Sequence, residues 1–161
     1  MQYQMTQKMF AMGDDFKIKD VNGKEVFQVD GKAFSMGDKL SFLDMDGVEQ
    51  AYISQKLLSF KKRYEIYRKG NLFAEVVKGF TFFKDKFTVD IPGPNDYEVT
   101  GNFWDHEYKF IRKGREVAHI SKARFSLADT YGIDIVDGED DITILATAVV
   151  IDLVNDDERR R

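Results

Sequence analysis

Side chains able to do chemistry are sparse in this chain, and their spacing argues against most reactions. There are two histidines, His106 and His119, and no cysteine. Zinc centres gather Cys, His and carboxylate ligands in close sets, and two separated histidines without a thiolate offer none. A serine–histidine–carboxylate set could use His119, but no Gly-x-Ser-x-Gly elbow exists to hold the nucleophile. His106 follows Trp104-Asp105, and His119 sits between Ala118 and Ile120 in a strand-like string, so both read as structural. Asp44-Met45-Asp46-Gly47 opens like a calcium loop but lacks the later ligands, the twelfth-position glutamate included. It reads as a hairpin turn. In the acidic run Asp137-Gly138-Glu139-Asp140-Asp141, Asp140 or Asp141 reads as the cap of a following helix. No phosphate-cradling glycine loop or dinucleotide fingerprint occurs, so no cofactor, metal or enzymatic activity is expected.

The cations form a more suggestive pattern. Eight or nine residues beyond a turn glycine stands a lysine in four places, Lys32, Lys56, Lys78 and Lys122, with Gly101 at the equivalent place of another unit. Lys61, Lys62 and Arg63 lie close by in sequence. If the units are structurally equivalent, these seven side chains are candidates to hold an anionic ligand. Ammonium groups facing one way attract phosphorylated headgroups or an anionic membrane, at about 1 kcal/mol each. The plainer reading is that solvated lysines end strands and discourage edge pairing. Net charge is −4, yet residues 56–84 carry eight basic side chains against two acidic ones. Residues 129–158 carry ten acidic side chains and no Lys or Arg. Aromatics interleave with bases at Lys61-Lys62-Arg63-Tyr64 and Tyr67-Arg68-Lys69, as on nucleic-acid stacking platforms. An acidic chain (sequence pI about 5.3), with Tyr64 and Phe73 fitting inward positions, argues against nucleic acid.

The elements that must carry these residues repeat. Apolar pairs spaced by one residue recur as Phe16/Ile18, Leu40/Phe42, Tyr64/Ile66, Phe87/Val89, Tyr108/Phe110 and Tyr131/Ile133. Each is followed by a turn glycine, Gly23, Gly47, Gly70, Gly93, Gly114 and Gly138, at steps of 24, 23, 23, 21 and 24 residues. Period-2 strings around glycine turns read as hairpins, and their repetition means one stacked supersecondary unit. Six leading strands, five returning strands and one N-terminal strand over Tyr3 to Met12 make about twelve. An antiparallel sheet that wide closes into a barrel, whose interior must be filled. The apolar run Ile142 to Val154 is the natural plug. Its Ile, Val and Thr content favours a strand, while its length, lack of alternation and acidic start favour a helix; residues alone leave both open. At 161 residues with two prolines in one turn, the chain reads as one domain over 1–155 and a charged tail over 156–161. The N-terminus lacks signal-peptide features, which points to the cytoplasm.

Several stretches together resemble the LURP-one-related family, in its bacterial branch: Gln7-Lys8, Phe16-Lys17-Ile18 with Gly23, Gly37-Asp38-Lys39-Leu40, Ala51-Tyr52-Ile53-Ser54-Gln55-Lys56, Arg63-Tyr64-Glu65-Ile66-Tyr67, Asp129-Thr130-Tyr131, and the closing segment ending in Val150-Ile151-Asp152. The family is similar in fold to the Tubby C-terminal domain and phospholipid scramblases, which implies a mainly β, closed antiparallel barrel of twelve strands around a buried C-terminal helix, here about 140–154. The resemblance implies no catalytic residues. By analogy with lipid-binding relatives of the fold, it implies a binding or scaffold module for anionic lipid headgroups or a membrane surface. A protein-interaction module without a small ligand is the alternative expectation.

Overall fold

The computed structural model describes residues 1–10, 13–31, 36–80, 84–122 and 129–159. Twelve strands run β1 (Gln2–Phe10), β2 (Gly13–Asp20), β3 (Glu25–Gly31), β4 (Lys39–Asp44), β5 (Glu49–Gln55), β6 (Arg63–Arg68), β7 (Asn71–Phe80), β8 (Asp85–Asp90), β9 (Tyr97–Asn102), β10 (Glu107–Arg112), β11 (Arg115–Ser121) and β12 (Thr130–Ile135). Each strand pairs antiparallel with its neighbour in sequence, and β1 pairs with β12 to close the barrel (Tyr3 opposite Ile133, Met5 opposite Tyr131). All twelve residues of the six apolar pairs point inward and are essentially inaccessible. Alternation along each strand makes this unavoidable, because slipping by one residue would turn every one of them to solvent.

The hairpins also repeat in detail. The Asp20 carboxylate accepts from the backbone N–H groups of Asn22 and Lys24, at 2.9 and 3.0 Å. Asp44 does the same with Asp46 and Val48, both at 2.9 Å. The Asp44-Met45-Asp46-Gly47 segment is thus a hairpin turn. In four hairpins the register shifts just after the second inward residue of the pair, at Ile18/Lys19, Phe42/Leu43, Ile66/Tyr67 and Phe110/Ile111. Such bulges add twist and bend, which a closing sheet requires.

The helix α1 (Asp141–Arg159) threads the barrel. Its 19 residues span about 28 Å. Residues from Thr143 to Asp156 are buried, so the all-round apolar pattern reflects burial on all sides. Asp140 is the cap: its carboxylate accepts from the Thr143 backbone N–H at 3.3 Å and the Thr143 hydroxyl at 2.8 Å. Arg68 donates to Asp140 at 3.0 Å, and Tyr3 donates to Asp141 at 2.5 Å.

The helix continues past the expected end. Residues 156–159 are its last turn, not a charged tail, with Asp156 only 9% exposed. Phe73 is a second correction: it lies beside inward-facing Ala74, is only partly buried, and sits 5.4 Å beneath the Arg68 guanidinium.

Candidate functional site

Because β1, β3, β5, β7, β9 and β11 all run toward the end where α1 finishes, their exits and the following strand entries form one rim. The opposite end holds the tight turns. At this helix-exit rim the β5–β6 connection, residues 56–62, bears no turn glycine and projects outward. Leu58 is 97% exposed, Phe60 is fully exposed and Leu57 is half exposed, with Lys56 and Lys61 exposed on either side. Among the described residues neither Lys56 nor Lys61 has an ion-pair partner. Leu57 lies so close to Gly37 that a Cβ there would meet its Cδ2 at 2.8 Å, and Met36, next to Gly37 in the chain, is 81% exposed.

The other candidate cations are engaged. Lys62 pairs with Asp157, and Arg63 pairs with Glu75 while its Nε donates to Ser59 at 3.3 Å. Lys78 points inward from β7, 9% exposed, between Glu158 at 2.5 Å and Asp85 at 3.3 Å. Lys122 follows β11, far round the rim from β6, and its backbone N–H donates to Glu107 at 3.1 Å. Lys32 lies outside the described residues. The structure therefore brings Lys56, Lys61, Lys62, Arg63 and Lys78 to one sector and sets Lys122 apart.

The two histidines differ. His119 stands half exposed between Glu116 (3.3 Å) and Glu107 (3.8 Å). Burial raises the Glu107 pKa, but the Ser121 hydroxyl, the Lys122 N–H and His119 more than offset it, leaving the carboxyl below its usual range. His106, held at a positive φ of 52°, is buried and reaches Asp152 on α1 through Nε2 at 2.8 Å. Tyr131 donates to the other Asp152 oxygen at 2.5 Å and stacks on the His106 ring at 4.4 Å. Burial first, and Asp152 second, hold the Tyr131 and Tyr108 phenols well above their usual pKa. Asn155 donates to the Phe103 carbonyl at 3.0 Å. This interior cluster fixes the depth and rotation of the helix, because every polar group on its inner length needs a partner at one height.

Three features escaped sequence reasoning. The exposed Leu57-Leu58-Ser59-Phe60 tip had a signal, an apolar run between strands with no turn residue. Asp152 within an apolar run was a signal of a buried polar contact. The acidic helix end had the opposite of a signal, since carboxylates at a helix C-terminus oppose its dipole.

The chain matches the LURP-one-related family model over residues 1–152. A twelve-stranded barrel filled by one C-terminal helix, with this family match, defines the class: the protein belongs to the LURP-one-related family. Among curated proteins it is similar to the uncharacterised protein YxjI of Bacillus subtilis, 38% identical over 156 residues that cover 96% of this chain and 94% of that protein. Among solved structures it is similar in fold to an Arabidopsis thaliana protein determined by X-ray crystallography, with a TM-score of 0.69, 20% identity, and 96% and 91% of the two chains covered.

Proposed function

We propose that this protein is a non-enzymatic binding module that docks peripherally on an anionic membrane surface through its helix-exit rim, on the cytoplasmic side. The observation that carries it is the β5–β6 tip, where Leu58 and Phe60 stand almost wholly in water between Lys56 and Lys61. Apolar side chains exposed this fully at a loop tip are unfavourable in a soluble monomer unless something covers them. A lipid interface covers the apolar groups and attracts the flanking ammonium groups at once. Full burial of a Leu or Phe side chain contributes about 1.5–3 kcal/mol, and each interfacial lysine about 1 kcal/mol. Half-insertion of two side chains plus two lysines gives about 3.5–5 kcal/mol, enough for weak, reversible docking. Among the described residues no helix is long and apolar enough to cross a membrane, which suits attachment from one side.

Co-sedimentation tests it. The protein should bind phosphatidylcholine vesicles containing phosphatidylglycerol, release as salt rises, and ignore pure phosphatidylcholine. Leu58→Ser/Phe60→Ser should bind at least about tenfold more weakly at unchanged thermal stability. Equal binding by this variant, or no binding by the unaltered chain, would sink the reading. In the latter case a protein partner covers the tip, and pull-down becomes the route to it.

A further inference from the structure

The last turn of α1 presents Asp156, Asp157 and Glu158 at the negative end of the helix dipole, an arrangement that neither dipole nor solvation explains. Three separate elements hold it there. Gln7 of β1 donates to Asp156 at 2.5 Å, Lys62 ahead of β6 pairs with Asp157, and Lys78 of β7 pairs with Glu158 at 2.5 Å. Arg159 of the same turn lies 5.2 Å over the Trp104 ring. A lysine from the β5–β6 connection and one from β7 thus converge on carboxylates that belong to the chain itself.

We infer that Lys62 and Lys78 form an anion-binding site, occupied at rest by the helix's own Asp157 and Glu158, and that a phosphate group displaces these carboxylates and releases the last helical turn. A phosphate carries more charge and more acceptor oxygens than a carboxylate, and both lysines present rotatable donors. Exposure sets the order of events. The Lys62–Asp157 pair is reached by solvent, with side chains 23% and 39% exposed, and such pairs are weak and screened. The Lys78 side chain is only 10% exposed, so once Glu158 has left it offers its remaining donors to the anion while staying paired with Asp85 at 3.3 Å. Lys62 and Lys78 are therefore latent cations beside the exposed Lys56 and Lys61 of the docking tip. Their exposure would couple anion arrival to movement of the helix terminus, while the capped, buried length of α1 stays in place. The role in docking rests on the membrane reading above; the anion site itself does not, since a lipid headgroup and a free phosphate share the chemistry.

Tripolyphosphate, titrated calorimetrically, is the direct probe. Asp157→Asn/Glu158→Gln should bind it at least fivefold more tightly than the unaltered chain, and adding Lys62→Gln should erase that gain. Asp46→Asn/Glu49→Gln, the same charge change among exposed residues at the opposite end, should change affinity by less than twofold. In the unaltered chain, tripolyphosphate should speed amide exchange at residues 155–159 only. Equal affinity of the first double variant and the unaltered chain, an equal gain in the opposite-end control, or unchanged exchange would each overturn the inference. Vesicles separate the source. If Asp157→Asn/Glu158→Gln also tightens binding to phosphatidylglycerol vesicles, the ligand is a headgroup. If tripolyphosphate binds as stated but no variant binds vesicles, the docking reading fails while the anion site stands, with soluble phosphate as its ligand.

Discussion

Two buried tyrosines should respond with opposite signs to loss of one oxygen atom. Tyr131 and Tyr108 are both fully enclosed, at 1% and 2% exposure, on the inner faces of β12 and β10. The Tyr131 hydroxyl donates to the Asp152 carboxylate at 2.5 Å and lies 3.0 Å from the Met5 sulfur. The Tyr108 hydroxyl has no hydrogen-bond partner among the described residues. Tyr131→Phe deletes a hydrogen bond to a buried carboxylate, a contact contributing about 1.5–3 kcal/mol, and leaves Asp152 with His106 alone. Tyr108→Phe deletes only a desolvated hydroxyl, whose unsatisfied burial costs about 1–3 kcal/mol, so it should be neutral or stabilising. With a urea m-value of about 2 kcal/mol/M, Tyr131→Phe should lower the unfolding midpoint by about 1 M and Tyr108→Phe should hold or raise it. Urea unfolding followed by circular dichroism reads both. Equal losses from the two variants would show that the polar cluster around Asp152 does not distinguish the hydroxyls, and would refute the helix-positioning role assigned to it.

Ala148→Asp, or truncation before Ile142, should abolish cooperative folding rather than weaken binding, because either leaves an unpaired buried charge or a hollow barrel; a sharp thermal melt in either variant would contradict the plug. Gly101→Ala should destabilise far more than Gly23→Ala. At φ 141° a Cβ on Gly101 would lie 2.5 Å from the Glu107 carbonyl oxygen, whereas one on Gly23 meets nothing within 4 Å; matching melting temperatures would be the wrong result. Alkali should unfold the barrel steeply. Tyr108 and Tyr131 keep their protons in the folded state, so their contribution is complete below pH 10 and falls as the unfolded phenols ionise, by nearly 3 kcal/mol per pH unit for the two together. Tyrosinate absorbance reaching that of all seven tyrosines without loss of ellipticity would contradict their burial.

Most of the architecture was legible because one period recurs. The six pairs, Phe16/Ile18 through Tyr131/Ile133, identified inward faces, and counting strands around them gave twelve. Register fixes burial so strictly in a closed sheet that these positions had no alternative. Lys78 was legible too, in retrospect: it alternates with Ala74 and Val76 and so had to point inward, which position relative to the turn glycine obscured. Phe73 was expected inward, but the inward positions of β7 are Ala74, Val76 and Lys78, so alternation turns Phe73 the other way. The helix end was misread for a physical reason. Asp156-Asp157-Glu158 has the composition of a frayed terminus, and contacts from Gln7, Lys62 and Lys78, far away in sequence, help to order it. The Leu58/Phe60 tip could not be inferred from periodicity at all, because exposed apolar side chains on a loop follow none.

Docking through the β5–β6 tip is tested most directly by a single tryptophan placed there. Trp104 is the chain's sole tryptophan, so Phe60→Trp combined with Trp104→Phe leaves one reporter at the loop tip. Titrated with phosphatidylglycerol vesicles carrying brominated acyl chains, its emission should shift to the blue and be quenched, and high salt should reverse both. Emission that stays solvent-like and unquenched while the protein sediments with the vesicles would contradict docking through this tip.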